Sequence, residues 1–392
     1  MRFEIQPVLS STLPEVASFL RRWRDNQVGN SSVQRPVRED TLSTERRLRW
    51  LLIENPVITD CSHHGYCVRD HSGIIRGLSL SFPAAFLAAD HRLLGLCSGS
   101  FFVEPQARTL GYHLFKKYLS SPGYSFFFAT TCNASSGALW GKLGGRAVPA
   151  SETEHILPLR LDVMLPAFLA GITSSEAASE VARISGRCAN PILQLLARRS
   201  SGLTIEPCQD WQKLSDIFRR HRSADWITSD RSPEFLKWRY GQSSPNYPCD
   251  IYWFRDKRGN QGWFCLGNVI RGHQGQIRGS VLLDAVWPRE KMTFGDILPE
   301  ILRLVAAEAD AIFLRPQPGL DYRQFSRWII PRRLEAPRVF VITRKAGPLL
   351  PVASLDYDES DHGAWVVHWS GPRKRSDSPQ LFRSGVKPAT LL

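Results

Sequence analysis

No stretch of this 392-residue chain approaches the ~18–20 consecutive apolar residues that a membrane-spanning helix requires. The longest obvious apolar run, Phe82 to Ala89, is far too short. The opening Met-Arg-Phe-Glu-Ile-Gln-Pro lacks the apolar core of a secretory signal, so the chain is expected to be cytoplasmic. Cys-x-x-Cys spacing is also missing. The eight cysteines stand singly in apolar or mixed contexts and read as reduced structural thiols. Nor is charge concentrated: the net +13 arises from 50 Lys+Arg against 37 Asp+Glu spread along the chain. That excess suits anionic partners such as CoA, anionic glycans or lipids, while nucleic-acid binding does not follow from it. One segment gathers possible metal ligands, Cys61, His63, His64 and Cys67, with Asp70 and His71 beyond. All of them lie on one strand-and-turn stretch with nothing to close a tetrahedron, so no metal site is expected.

What is present is ordinary globular material in quantity. Hydrophobic residues make up 43% and charged residues 22%, a balance that suits a folded core, and the length suits two domains. Apolar spacing predicts helices over Leu13–Arg24 and Thr44–Ile53, then strands over Gly65–Arg69, Ile74–Phe82 and Arg92–Val103. A helix from Thr109, a strand Ser125–Thr131 and a helix Ser135–Leu143 follow, the last ended by Gly144-Gly145. Residues 161–200 read as a helical bridge. Beyond it the order repeats. Helices Trp211–Arg222 and Pro233–Tyr240 precede strands Asp250–Arg255, Gly262–Val269 and Ser280–Trp287. A helix Phe294–Ala309, a strand Ala311–Arg315, a helix Tyr322–Trp328 and a strand Val339–Thr343 complete the second copy. The tail from Gly371 holds Arg373, Lys374, Arg375, Arg383 and Lys387 against Asp377, and reads as a solvated basic extension.

Two segments carry chemistry. The first, Phe101 to His113, runs from an apolar strand through a Pro-marked turn into Arg108-Thr-Leu-Gly111-Tyr-His113 and a helix. A strand feeding a helix in this way is expected to point bare N–H groups outward, toward an anion such as a pyrophosphate. The second, Asn133 to Gly145, reads Asn-Ala-Ser-Ser-Gly-Ala-Leu-Trp-Gly-Lys-Leu-Gly-Gly, a strand exit and short helix with a glycine stop. Together they resemble the acyl-CoA-binding core of the GNAT N-acetyltransferase superfamily. The resemblance implies an α/β fold built of two tandem GNAT-like domains, each with a mixed, mostly antiparallel twisted sheet flanked by helices. It places the acyl-CoA-binding domain in 1–160, a helical linker in 161–200, a second domain without the turn motif in 201–345, and an extension in 346–392.

The same resemblance assigns the site. Acyl-CoA, with acetyl-CoA foremost, would lie between the fourth and fifth strands. Phe102, Val103, Arg108, Thr109, Leu110, Gly111, Tyr112 and His113 would contact it, together with Asn133 and Ser136. His113 departs from the family's small residue, and Ser136 stands where the family has alanine. Trp140 stands where the family keeps a tyrosine general acid. An indole N–H donates a hydrogen bond but transfers no proton at useful pH. Glu104, the carboxylate nearest the motif, is the candidate base. Ser98 and Ser100, on one strand face by period two, would line the acyl site. In the second copy Trp238-Arg239-Tyr240, followed by Pro245 and Tyr247, and the strand acid Asp284 are candidates for a substrate cleft. The function implied is transfer of an acyl group, other than an aminoacyl group, from CoA to an amine or hydroxyl of a small-molecule, glycan or peptide acceptor. A transferase resembling the Fem group and a silent acyl-CoA-binding scaffold are the alternatives.

Overall fold

The computed structural model describes residues 2–29, 41–57, 59, 63–89, 91–170, 173, 175–197, 201–241, 244, 249–271, 277–314, 322–334 and 336–344. The basic tail, Cys61, Pro245 and Tyr247 lie outside them. The chain opens with β1 (Phe3–Pro7), α1 (Leu13–Gly29), α2 (Thr41–Leu52), β2 (Gly65–Asp70), β3 (Ile75–Ala88) and β4 (His91–Val103). It continues with α3 (Gly111–Leu119), β5 (Phe126–Ala129), α4 (Ala134–Lys142), β6 (Arg146–Ala147) and β7 (Thr153–Pro158). The bridge is α5 (Leu161–Ala170) and α6 (Glu176–Ala197), and the next segment brings β8 (Thr204–Pro207), α7 (Trp211–His221), β9 (Ile227–Ser229) and α8 (Pro233–Tyr240). The chain then runs through β10 (Cys249–Arg255), β11 (Gln261–Arg271), β12 (Ile277–Val286), α9 (Phe294–Val305), β13 (Ala311–Leu314), β14 (Ile330–Arg333) and β15 (Phe340–Thr343). The repeat of element order is therefore real. The expected helix at Tyr322–Trp328 is only a 3-10 turn, Tyr322–Gln324, and β3 runs on through the apolar stretch to Ala88.

Alternation sorts the first sheet's side chains. Phe126 and Phe128 of β5 join Leu78, Leu80, Phe82 and the α1–α2 helices in one core. Phe127, between them, joins Leu96, Phe115, Tyr118 and Trp140 under α3 and α4 on the other face. The second sheet repeats this, with α7 and α8 on Trp253 and Trp263 and α9 on Phe264 and Leu314. Gly144 has φ +86 and ends α4 in the left-handed turn that a side chain would resist. Gly186 serves close approach: a Cβ there would sit 2.4 Å from the Asp162 amide nitrogen, where α6 crosses the start of α5.

The two sheets exchange strands. Among the described residues the first runs β1-β2-β3-β4-β5-β15-β6, with β9 on the far part of β3, and the second runs β14-β7-β13-β12-β11-β10-β8. So β7 leaves the first half to pair with β13 and β14. Strand β15 returns from the second half to pair with β5 and β6. A division at residue 160 thus follows chain order, while the pairing crosses it in both directions. Trp50 of α2 and Trp238 of α8 add a second link. Their rings stack at 4.4 Å and 13°. Each indole N–H donates to the other residue's carbonyl, at 3.1 and 3.0 Å.

Trp50→Ala is expected to destabilise the protein by about 3–5 kcal/mol, whereas Trp50→Phe, which keeps a stacking ring, costs about 1–3 kcal/mol. Urea unfolding followed by circular dichroism should show one shared transition for both sheets in each variant. Two separated transitions would mean that strand exchange does not couple the halves.

Candidate functional site

The candidate site is a gap produced by strand geometry. Strands β4 and β5 are parallel, and they pair only over Gly95–Cys97 with Phe126–Phe128. From Ser98 to Val103, β4 has no partner on that side among the described residues. The parting coincides with a β-bulge. Ser81 faces Ser98 and Ser79 faces Phe101, so Gly99 and Ser100 share the single position opposite Leu80. An inserted residue bends and twists the strand that carries it, which turns β4 away from β5. The end of the gap is closed by Tyr118, whose buried hydroxyl donates to the Leu96 carbonyl of β4 at 2.6 Å and lies 3.2 Å from the Phe128 carbonyl of β5. Burial pushes its phenol well above the ordinary range. On the β5 side Thr130 is 1% exposed, and its hydroxyl has no hydrogen-bond partner. By register it stands level with Gly99 across the gap.

The turn after β4 differs from expectation. Pro105–Leu110 form a 3-10 helix that runs directly into α3. The Ala107 N–H bonds to Glu104 O and the Gly111 N–H to Arg108 O, so these N–H groups are not bare. Gly111 has φ −56, and a Cβ there would touch Phe101 and Val103 at 3.6 Å, so ordinary packing accommodates it. The start of α3 nonetheless keeps features that suit an anion: no side-chain cap and no acid in its first turn. Arg108, Thr109, Tyr112 and His113 are exposed, Leu110 is half-buried, and Lys116 lies over the Tyr112 ring.

Several expected roles change. Glu104 does not face the gap; it lies on the β3 side, where Arg76 bonds one oxygen at 3.1 Å and Arg22 lies 3.7 Å from the other. Gln106 bonds the same oxygen as Arg76. A carboxylate so occupied anchors the strand end and is no free base. Arg76 also bonds Asp70 at 2.7 Å, and Asp70 is held well below the usual carboxylate range by the Ser72 hydroxyl and by Arg76. Ser98 and Ser100 do not share a face. Ser98 lies with Leu96 on the α3–α4 side, whereas Ser100 has the parity of Phe102, which packs on the α1–α2 core beside Trp23. Val103 packs with Val68 and Leu114. The bulge breaks the period of two that joined the two serines.

Trp140 is a core residue, 2% exposed, set edge-on to Phe115 at 4.9 Å. Asn133 and Ser136 cap α4 reciprocally, each side chain accepting the other's N–H at 2.9 Å. Cys132 is buried and its thiol is pushed up to about 12, which suits a structural thiol. In the second copy Asp284 is no cleft residue. Arg231 grips it with two bonds, at 2.7 and 2.8 Å, both side chains being buried, and the Tyr240 hydroxyl lies 3.4 Å away. Trp238 is taken by Trp50, and Arg239 is buried with its guanidinium near the Tyr240 ring. Tyr118 and Thr130 were missed. Their only sequence signal was position, a tyrosine on the buried stripe of α3 and a threonine one residue beyond an apolar strand.

No group of three or more His, Cys, Asp or Glu suited to a metal occurs among the described residues. None of their helices is long and apolar enough to cross a membrane.

No family model matches the chain, and no curated protein matches it in sequence. Solved structures do match in fold. A conserved protein of unknown function from Enterococcus faecalis, described as a probable N-acyltransferase, aligns at TM-score 0.53 and 10% identity over 88% of this chain and 72% of its own. A GCN5-related N-acetyltransferase from Anabaena variabilis gives TM-score 0.52 and 10% identity over 87% of this chain and 72% of its own. Saccharomyces cerevisiae N-myristoyltransferase with bound myristoyl-CoA gives TM-score 0.53 and 12% identity over 92% and 83%. The chain therefore has the GNAT fold in a two-sheet arrangement.

Burial is the main cause that holds His63 and His64 below the ordinary value of 6.5. Below pH 6.5 the unfolded chain takes up protons that the folded protein refuses. Stability contributed by these residues is therefore present above that pH and is lost as pH falls through the folded values. A scanning-calorimetry series from pH 7.5 to 5 should show a falling Tm, and a His63→Gln/His64→Gln variant should show a shallower fall. An unchanged slope in that variant would remove the histidines from the account.

Proposed function

We propose that the first sheet binds an acyl-CoA in the gap between β4 and β5, and that the protein is a CoA-dependent acyltransferase acting by direct attack on the thioester. The parting of β4 from β5 beside the orphaned Thr130 hydroxyl carries this reading. The free backbone edge of β4 can pair with the amides of a pantetheine arm as a neighbouring strand would. Thr130 offers a buried hydroxyl for a group that enters the gap. Arg108 and His113, beside the uncapped start of α3, suit the phosphates. Acetyl-CoA is the first candidate donor. The myristoyl-CoA held by the yeast structure of the same fold supports an acyl-CoA without deciding chain length.

In functional terms residues 1–160 form the donor-binding unit, 161–200 the helical connection and 201–345 a unit that shapes the acceptor side. Residues 346–392 are an extension. The acceptor is a small molecule, glycan or peptide with an amine or hydroxyl, and the protein acts in the cytoplasm. Holding donor and acceptor in attack geometry is the main service required of the fold. A second reading, a silent acyl-CoA-binding protein, is favoured by one observation: Trp140 is locked in the core, where the usual tyrosine acid would stand.

Calorimetric titration with acetyl-, octanoyl- and myristoyl-CoA tests both readings, with binding of at least one expected. Failure of all three at millimolar concentration would defeat both. Binding with no thiol release over a panel of amine and hydroxyl acceptors would favour the silent protein. Thr130→Val sharpens the placement. It should raise the Tm of the free protein, because an unsatisfied buried hydroxyl costs about 1–3 kcal/mol, and should weaken acyl-CoA binding about tenfold, as losing one net hydrogen bond does. Unchanged affinity would put the ligand elsewhere.

A further inference from the structure

A second cavity, of about 190 Å³, opens on the α3–α4 face of the first sheet. Its floor is Pro83 and Leu96, and its rim comes from the end of α2 and the segment before β2. The polar groups that line it arrive from separate parts of the chain. Ser10 follows β1, Thr59 and His64 precede β2, Ser81 is on β3, and Ser121 and Tyr124 join α3 to β5. The Ser10 hydroxyl lies 3.2 Å from His64 Nε2, and the Thr59 hydroxyl 3.4 Å from that of Tyr124. Ser121 is 4% exposed and lines the cavity, yet its hydroxyl has no hydrogen-bond partner. A buried hydroxyl left unsatisfied in a roomy, half-polar cavity points to a ligand that would satisfy it.

This cavity adjoins the gap. The His64 N–H bonds to Val8 O at 2.8 Å, and its carbonyl accepts from the Ser81 N–H at 3.0 Å. Ser81 in turn stands opposite Ser98, the first residue of β4 beyond the paired stretch. His64 therefore lies two strand spacings, roughly 10 Å, from the start of the unpaired edge, and Leu96 borders both spaces. The acceptor's hydroxyl oxygen has to meet His64 Nε2 and the thioester carbonyl together, so the acyl end of the donor must reach past Ser98 toward Ser81.

We propose that this cavity is the acceptor pocket, that it takes a small uncharged alcohol, and that His64 Nε2 is the base that removes the hydroxyl proton. The inference rests on the acyl-CoA reading above and adds an acceptor class to it. Among the described lining residues there is no carboxylate to pair with an ammonium ion. The burial that disfavours charge on His63 and His64 disfavours an ammonium ion in the same place too. Lys117, beside His63, adds to that opposition. The volume equals about six water molecules in the liquid, so the acceptor is small.

The bound hydroxyl takes the place at Nε2 that Ser10 fills in its absence. Its oxygen attacks the thioester carbonyl carbon, the new C–O bond forms and the C–S bond breaks. The hydroxyl proton passes to Nε2 and then to water, while the departing thiolate is protonated from water, giving an ester and free CoA. A base that accepts the acceptor's proton, with a thiolate that leaves unaided, requires no acid at the position of Trp140.

The test uses whichever acyl-CoA binds in the titration, with hexan-1-ol and cyclohexanol compared with hexylamine and cyclohexylamine, read as CoA thiol release. Alcohols should release thiol and the amines should not. His64→Gln should lower the alcohol-dependent rate by about 10²–10⁴-fold with acyl-CoA affinity unchanged. Ser121→Leu, which fills the cavity, should raise the alcohol KM at least tenfold with the same unchanged affinity. Amines outpacing alcohols, a His64→Gln rate within threefold of the parent, or no release with either alcohol would each overturn the proposal. In all three cases measured acyl-CoA binding would leave the donor reading standing.

Discussion

Both sheets depend on one constraint: the short buried strands at their centres must be paired on both edges. β5 is Phe-Phe-Phe-Ala and β13 is Ala-Ile-Phe-Leu, four residues each and buried throughout. Backbone groups buried in this way need partners on each side. Each strand finds one neighbour in its own half, β4 or β12, and the other in the opposite half, β15 or β7. Neither half can complete its sheet alone. The Trp50–Trp238 pair then fixes the two helical layers to each other with the same reciprocity, since the two tryptophans occupy matching places near the ends of α2 and α8. Stability and site geometry are thereby coupled, because β15 is the strand that holds β5 in place beside the gap.

The two copies share a bulged strand but differ in the polar groups around it. In the second, β12 pairs with β13 over Gly279–Leu282 among the described residues, and a bulge at Leu283 follows, as one follows the paired stretch of β4. There the buried Arg231 and the Tyr240 hydroxyl engage Asp284 of that strand. The following helix is also closed to anions. The Thr293 N–H and hydroxyl both donate to Asp296, a carboxylate already at the N-terminus of α9. The first copy has neither feature: α3 begins without a side-chain cap, and Thr130 is left unpartnered. Repetition supplies the scaffold, and the polar residues placed on it differ between the copies.

The sequence made local facts legible and hid those that depend on distant partners. Helix and strand periods revealed the repeat because each element's buried stripe is written within its own residues. The capping of α4 and its glycine stop were legible for the same reason. The strand exchange was not, since nothing in Thr153–Pro158 says which sheet its edges meet. Glu104 looked like a free turn acid because Arg22 and Arg76, which hold it, are remote in sequence. Asp284 looked like a cleft residue because Arg231 is remote too. The serines at 98 and 100 misled in another way: period two assumes an unbroken strand, and the bulge that opens the gap also shifts the parity.

Tyr118 explains why the proposed acyl transfer is assigned to a base and not to an acid. Where two parallel strands part, the last carbonyls on each lose the partners a continuing ladder would give them. An unsatisfied carbonyl there would favour closing the gap again. The Tyr118 hydroxyl sits between the Leu96 and Phe128 carbonyls, so it satisfies the end of the pairing and fixes where the gap begins. That duty commits its only proton to a carbonyl, and burial raises the cost of ionising the phenol. Trp140 packs against Tyr118 and Phe115 and holds the phenol in this position while offering no acid of its own. The residues that shape the gap are thereby excluded from proton transfer within it. In the acyl-transfer reading proposed above, the proton therefore moves on the acceptor side, among the hydroxyl and imidazole groups that line the cavity.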